Sequence, residues 1–106
     1  MNNSIRQGSD LARFQREIYD NKVKKGFNVT DIYLEFCYLH GEVTEAFESY
    51  LKQKPNQGEE LADIAIFLFG LAEILHVDLE AEILRKMEKN RNRTYEKVGD
   101  GFVKNE

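Results

Sequence analysis

Four carboxylates dominate the stretch HGEVTEAFESYLKQKPNQGEELADIAIFLFG, residues 40 to 70. Glu42 and Glu45 form one pair and Glu60 and Asp63 a second, each at i,i+3 spacing. On a helix that spacing puts both side chains on one face, with Cβ atoms about 5–6 Å apart. If the two helices pack antiparallel across the 14-residue spacer between Glu45 and Glu60, all four acids converge. Four anions in one cleft repel and need a compensating charge. Oxygen-only donors, with no His or Cys clustered beside them, favour the hard cations Mg²⁺ or Mn²⁺ over zinc. The competing explanation is ordinary: solvated helix charges, with Glu59, Glu60 and Asp63 complementing the dipole of a first turn.

A second constellation lies further along. Lys86, Asn90 and Arg93 step by four and by three, so one helix face offers an ammonium, an amide and a guanidinium fork. Lysine and arginine grip phosphate oxygens, arginine in a bidentate way. Asn90 falls next to an Ile83–Met87 apolar line, and a buried asparagine needs partners. A solvated basic last turn explains RKMEKNRNR equally well. Acids and a phosphate-gripping face in one small chain form a more specific combination than either alone.

Helices must position both sets. Asp10 can cap a first helix with Leu11, Phe14 and Ile18 on one stripe, ending at KKG, where Gly26 suits a left-handed position. Thr30 or Asp31 can cap a second, whose seam is Phe36, Leu39, Val43, Ala46 and Tyr50. KQKPNQG is a loop. The third helix opens at Glu59 and is apolar nearly all round through IAIFLFGLAEIL, which predicts a central position. Asp78 can cap a fourth, with Leu79, Ile83, Leu84 and Met87 as its core face. No strand is predicted. The expected organisation is a flexible segment over 1–9, one all-α domain over 10–96 and a flexible tail over 97–106.

Composition sets outer bounds. At 106 residues, one domain with a modest core is expected, and a second copy can complete that core. A net charge of −4 argues against a nucleic-acid-coating surface but leaves room for a small phosphate ligand. The lone Cys37 cannot form an internal disulfide, and it is expected to pack as a small apolar residue. The first ten residues lack the apolar core of a signal peptide. IAIFLFGLA, the longest apolar run, is nine residues against the roughly 20 a bilayer span needs. A cytoplasmic protein with no membrane partner is expected.

The pattern E-x-x-E, spacer, E-x-x-D, then K-x-x-x-N with a following Arg and Tyr resembles the MazG-type all-α nucleoside triphosphate pyrophosphohydrolases. It is carried by GEVTEAFESY, EELADIAIFL and KMEKNRNRTY, within residues 25 to 96. The resemblance implies a four-helix subunit whose core is completed by homodimerisation, often into tetramers. It implies Mg²⁺ held by Glu42, Glu45, Glu60 and Asp63, and cleavage of a (deoxy)nucleoside triphosphate to monophosphate and pyrophosphate, an activity that can serve nucleotide-pool sanitation. Lys86 and Asn90 match positions that engage phosphate or sugar, and Arg93 and Tyr95 a motif that closes the site. Glu42 or Glu45 is the general-base candidate, with Lys86 and Arg93 stabilising the departing charge. The chain departs from the family at His40-Gly41, at Phe27 where relatives carry tryptophan, and at Thr94 where many carry proline.

Three alternatives stand beside this. The related phosphoribosyl-ATP pyrophosphohydrolases share the acidic helices. A non-enzymatic helical module would bind a partner through the apolar third helix and ignore Mg²⁺. Glu73 and His76 make one E-x-x-H, but a di-iron bundle needs two. His40 has acids nearby without ligand spacing and reads as a partly exposed helix histidine.

Overall fold

Ser9, not Asp10, starts the first helix. Its hydroxyl accepts from the Ala12 amide and donates to a Glu80 carboxylate oxygen 2.8 Å away, so the cap also ties the helix to the fourth. In the computed structural model, which describes residues 9–105, four helices follow one another: α1 (Asp10–Lys24), α2 (Ile32–Leu51), α3 (Gln57–Ile74) and α4 (Leu79–Asn92). The flexible segment expected over 1–9 lies outside the described residues except for Ser9.

Local chemistry explains the helix ends. Gly26 sits at φ +72° behind α1, and the Phe27 amide closes onto the Lys22 carbonyl. Asp31 caps α2 by accepting from the Leu34 amide, and Asp78 caps α4 through the Ala81 amide. His76 takes the left-handed conformation after α3, at φ +59°, where glycine is the usual occupant. That turn is held by Gln15 of α1, which donates to the Val77 carbonyl and to Glu73 and accepts from the Leu79 amide.

The third helix is central, as its all-round apolarity predicts: both α2 and α1 pack against it. Leu71 and Ala72 are the buried apolar residues at this crossing. Gly70 permits a close approach there, because a Cβ would stand 3.3 Å from Lys22 Cδ and 3.4 Å from Ile18 Cγ2.

Two expected core faces are covered only in part. On α2 the buried positions are Glu35 and Ser49, while Phe36, Val43 and Tyr50 of the expected seam are exposed. The line facing the other helices keeps Leu39 and Ala46, both part-buried, but takes Glu35, Glu42 and Ser49 where the expected seam has Phe36, Val43 and Tyr50. On α4 no residue is buried, and Ile83, Leu84 and Met87 are exposed. Cys37 is exposed as well, not packed. The radius of gyration, 17.0 Å, exceeds the roughly 13 Å of a compact chain this long. The physical reason is that one chain does not wrap all its apolar helix faces.

The strand-free expectation for the C-terminus is corrected. β1 (Thr94–Val98) and β2 (Gly101–Asn105) pair antiparallel, with Val98 opposite Gly101. Gly99 and Asp100 form the two-residue turn, with Gly99 at φ +61°, the backbone that short hairpins require. Among the described residues no helix is long and apolar enough to cross a membrane.

Candidate functional site

The antiparallel pairing of α2 with α3 is registered by two contacts. At one end the rings of Tyr38 and Phe67 meet with centroids 5.9 Å apart. At the other, the buried Ser49 hydroxyl donates to Asn56 Oδ1 at 2.6 Å, which uses the oxygen that would otherwise cap α3. Stepping one helical turn inward from each contact sets Glu42 opposite Asp63 and Glu45 opposite Glu60.

The electrostatics agree with that register. The Glu42 carboxyl is pushed above the usual carboxylate range, first by burial and then by the negative charges of Glu45, Asp63 and Glu60, with a hydrogen bond to Glu45 adding to the effect. The other three acids therefore all lie within electrostatic reach of Glu42. Among the described residues, however, no three His, Cys, Asp or Glu groups stand in an arrangement that could hold a metal ion. Beside Glu45 and Glu60 a polar hollow of about 280 Å³ opens, walled also by Lys52 and Lys54 of the loop.

Lys86, Asn90, Arg93 and Tyr95 are placed elsewhere. They lie along α4 and at the start of β1, and α4 packs on α1. Asn90 is exposed instead of lying against the core, and its Oδ1 accepts from Arg93 3.2 Å away. Lys86 and Arg93 each have an interaction within the protein. Tyr95 is about half exposed on its strand. The Glu73–His76 pair is structural: Glu73 accepts from Gln15, and His76 forms the exposed turn after α3.

A wider hollow than the one beside Glu45 and Glu60 begins one turn beyond the acids, where Tyr38 and Phe67 meet. It has a volume of about 670 Å³ and mostly apolar walls. Its floor is an ion pair between Lys22 of α1 and Glu35 of α2, 8% and 1% exposed. Asn28 donates to the second Glu35 oxygen at 2.9 Å, and the Lys22 ammonium stands 5.1 Å above the Phe67 ring centroid. The sequence argument missed this pair. A signal was present: Glu35 lies seven residues before Glu42, two turns away on the same face of α2.

Comparison of the chain with protein-family models, with curated proteins and with solved structures gives no match.

Proposed function

We propose that this protein is a Mg²⁺-dependent hydrolase of (deoxy)nucleoside triphosphates, releasing the monophosphate and pyrophosphate. The observation that carries the proposal is the α2–α3 register, which brings two acid pairs distant in sequence to one place. No basic residue is among the groups that shift Glu42. A carboxyl whose charge is disfavoured by three neighbouring acids has a use for a cation, and the all-oxygen donor set suits Mg²⁺ or Mn²⁺. Rotation of the long glutamate side chains is the adjustment that coordination would require.

Glu42, Glu45, Glu60 and Asp63 would hold the ion, which supplies charge neutralisation for the triphosphate when bound. In the hydrolysis, a water oxygen attacks the α phosphorus, the bond from that phosphorus to the bridging oxygen breaks, and pyrophosphate leaves with the bond's electron pair. A carboxylate takes the proton of the attacking water. Glu42 and Glu45 are the two candidates for that carboxylate, both lying beside the proposed ion.

The reading extends to a homodimer or homotetramer. Phe47 and Tyr50 of α2 are 60% and 64% exposed, and the apolar residues of α4 are uncovered too. A second copy packed over these faces would complete the core. It would also offer a route by which Lys86 and Asn90 reach the acids of the other subunit. The deciding experiment is a panel of nucleotides with and without Mg²⁺, with pyrophosphate and monophosphate resolved by chromatography. Metal-dependent formation of both products supports the proposal, and no product from any nucleotide ends it.

The same uncovered apolar faces favour one second reading, a helical module that binds another protein. That module would be indifferent to Mg²⁺.

A further inference from the structure

The hollow over the Lys22–Glu35 pair has the size and lining of a small-molecule site, which typically spans roughly 300–1,000 Å³ with a few placed polar groups. Its position relative to the acids is fixed by the helices. Tyr38 precedes Glu42 by one turn and Phe67 follows Asp63 by one turn, so the hollow starts about 6 Å along the same groove. A triphosphate held by the acids would direct its nucleoside along this groove.

The floor then decides which nucleoside. Both Glu35 oxygens are occupied, one by Lys22 and the other by Asn28, and the side chain is 1% exposed. Glu35 therefore has little left to offer an incoming donor. The Lys22 ammonium has three donors, of which Glu35 takes one, and the Asn21 amide stands on the same wall. Lys22 is also held in place. Gly70 leaves room for its stem, and its head is confined between Glu35 and the Phe67 ring. A buried ammonium with spare donors inside an apolar pocket rewards an acceptor and rejects a group that carries only hydrogens.

We infer that this hollow is a nucleobase site whose Lys22 meets the base edge farthest from the sugar, so that it prefers a carbonyl there (O4 of uracil and thymine, O6 of guanine; the keto bases) over an amino group (N4 of cytosine, N6 of adenine; the amino bases), with Lys22 donating to that carbonyl and Glu35 holding Lys22 in position. The Tyr38 and Phe27 rings supply apolar and stacking surface to the base plane. This inference rests on the triphosphate reading for its choice of ligand, so its test avoids the acids and the metal.

The experiment titrates free uridine, thymidine, guanosine, cytidine and adenosine into the full chain without divalent metal. Binding is followed by amide chemical shifts. Tighter binding of the keto nucleosides, by about tenfold for one hydrogen bond to a charged donor, is expected, with shifts centred on Lys22, Tyr38 and Phe67. The preference should vanish in Lys22→Met. That variant leaves Glu35 buried without its cation and can unfold, so the pair Lys22→Met with Glu35→Gln is measured alongside it. A keto preference lost in the folded double variant supports the inference. Equal binding of all five nucleosides, tighter binding of the amino-bearing ones, shifts that map away from the hollow, no binding at all, or a preference retained in the double variant would each overturn it. Nucleoside binding that survives Asp63→Asn while turnover fails separates this site from the acid cluster. Turnover absent in the wild type with nucleoside binding intact would remove the hydrolase reading and leave the base site standing.

Discussion

Glu42 on α2 and Asp63 on α3 face each other across the helix pair, and the charge of Asp63 helps to hold the Glu42 carboxyl above the usual carboxylate range. They are separated by a loop and parts of two helices, and each has its own i,i+3 companion. Helix packing alone brings them together.

If this convergence recruits Mg²⁺, neutral isosteres should disable it. Asp63→Asn and Glu60→Gln are expected to lower kcat/KM for Mg²⁺-dependent triphosphate cleavage by on the order of 10²-fold or more, with the helical circular dichroism unchanged. Full activity in either variant at matched Mg²⁺ would place the metal elsewhere.

The raised proton affinity of Glu42 has a sign that can be checked. A carboxyl whose folded pKa exceeds its unfolded value contributes stability that is complete below the unfolded pKa, near about 4.3. That contribution is lost as pH rises through the higher folded pKa. Without metal, the thermal midpoint of the wild type should therefore fall relative to that of Glu42→Gln as pH rises from about 4 toward neutrality. Added Mg²⁺ should raise the midpoint of the wild type at pH 7 more than that of the variant. Parallel pH profiles for the two proteins would refute the repulsion argument.

The Lys22–Glu35 pair predicts a non-additive pattern. Lys22→Ala or Glu35→Ala alone leaves a buried charge without its partner and should cost about 3–5 kcal/mol in urea unfolding. Replacing both by apolar residues of similar volume should recover most of that loss. Additive losses would mean that the two side chains do not act as a pair.

The uncovered face of α2 predicts self-association. Tyr50→Glu, with Phe47→Glu beside it, should weaken the oligomer by at least 2 kcal/mol, or roughly thirtyfold, in sedimentation equilibrium. A wild-type chain that stays monomeric at every concentration would instead assign that face to another partner.

On α4, Lys86→Ala should reduce turnover of all nucleotides, by roughly 10²–10³-fold if it stabilises developing phosphate charge. Asn90→Ala should change the ranking among nucleotides more than the rate. The comparison needs kcat/KM for several substrates in each variant. An unchanged rate in Lys86→Ala would return α4 to a solvated basic helix.

Helix number, order and most ends were legible in the sequence because their causes are local. Asp31 and Asp78 accept from amides three residues ahead, and Gly26 relieves a strain of its own backbone. The convergence of Glu42 with Asp63 was anticipated from spacing because a short loop between antiparallel helices leaves few registers. Which helix faces lie inside was decided only by tertiary packing. Phe36, Val43 and Tyr50 make the better apolar stripe, yet Glu35 and Ser49 face the other helices, because each is matched by a polar partner there: Lys22 and Asn56. Apolar periodicity shows that a face will be covered but not by what, and a second chain is as good a cover as the same one. Lys22 shows the limit most clearly. On its own helix it is one of two lysines in a last turn, and only the crossing of α1 with α2 and α3, opened by Gly70, makes it the buried cation of a pocket.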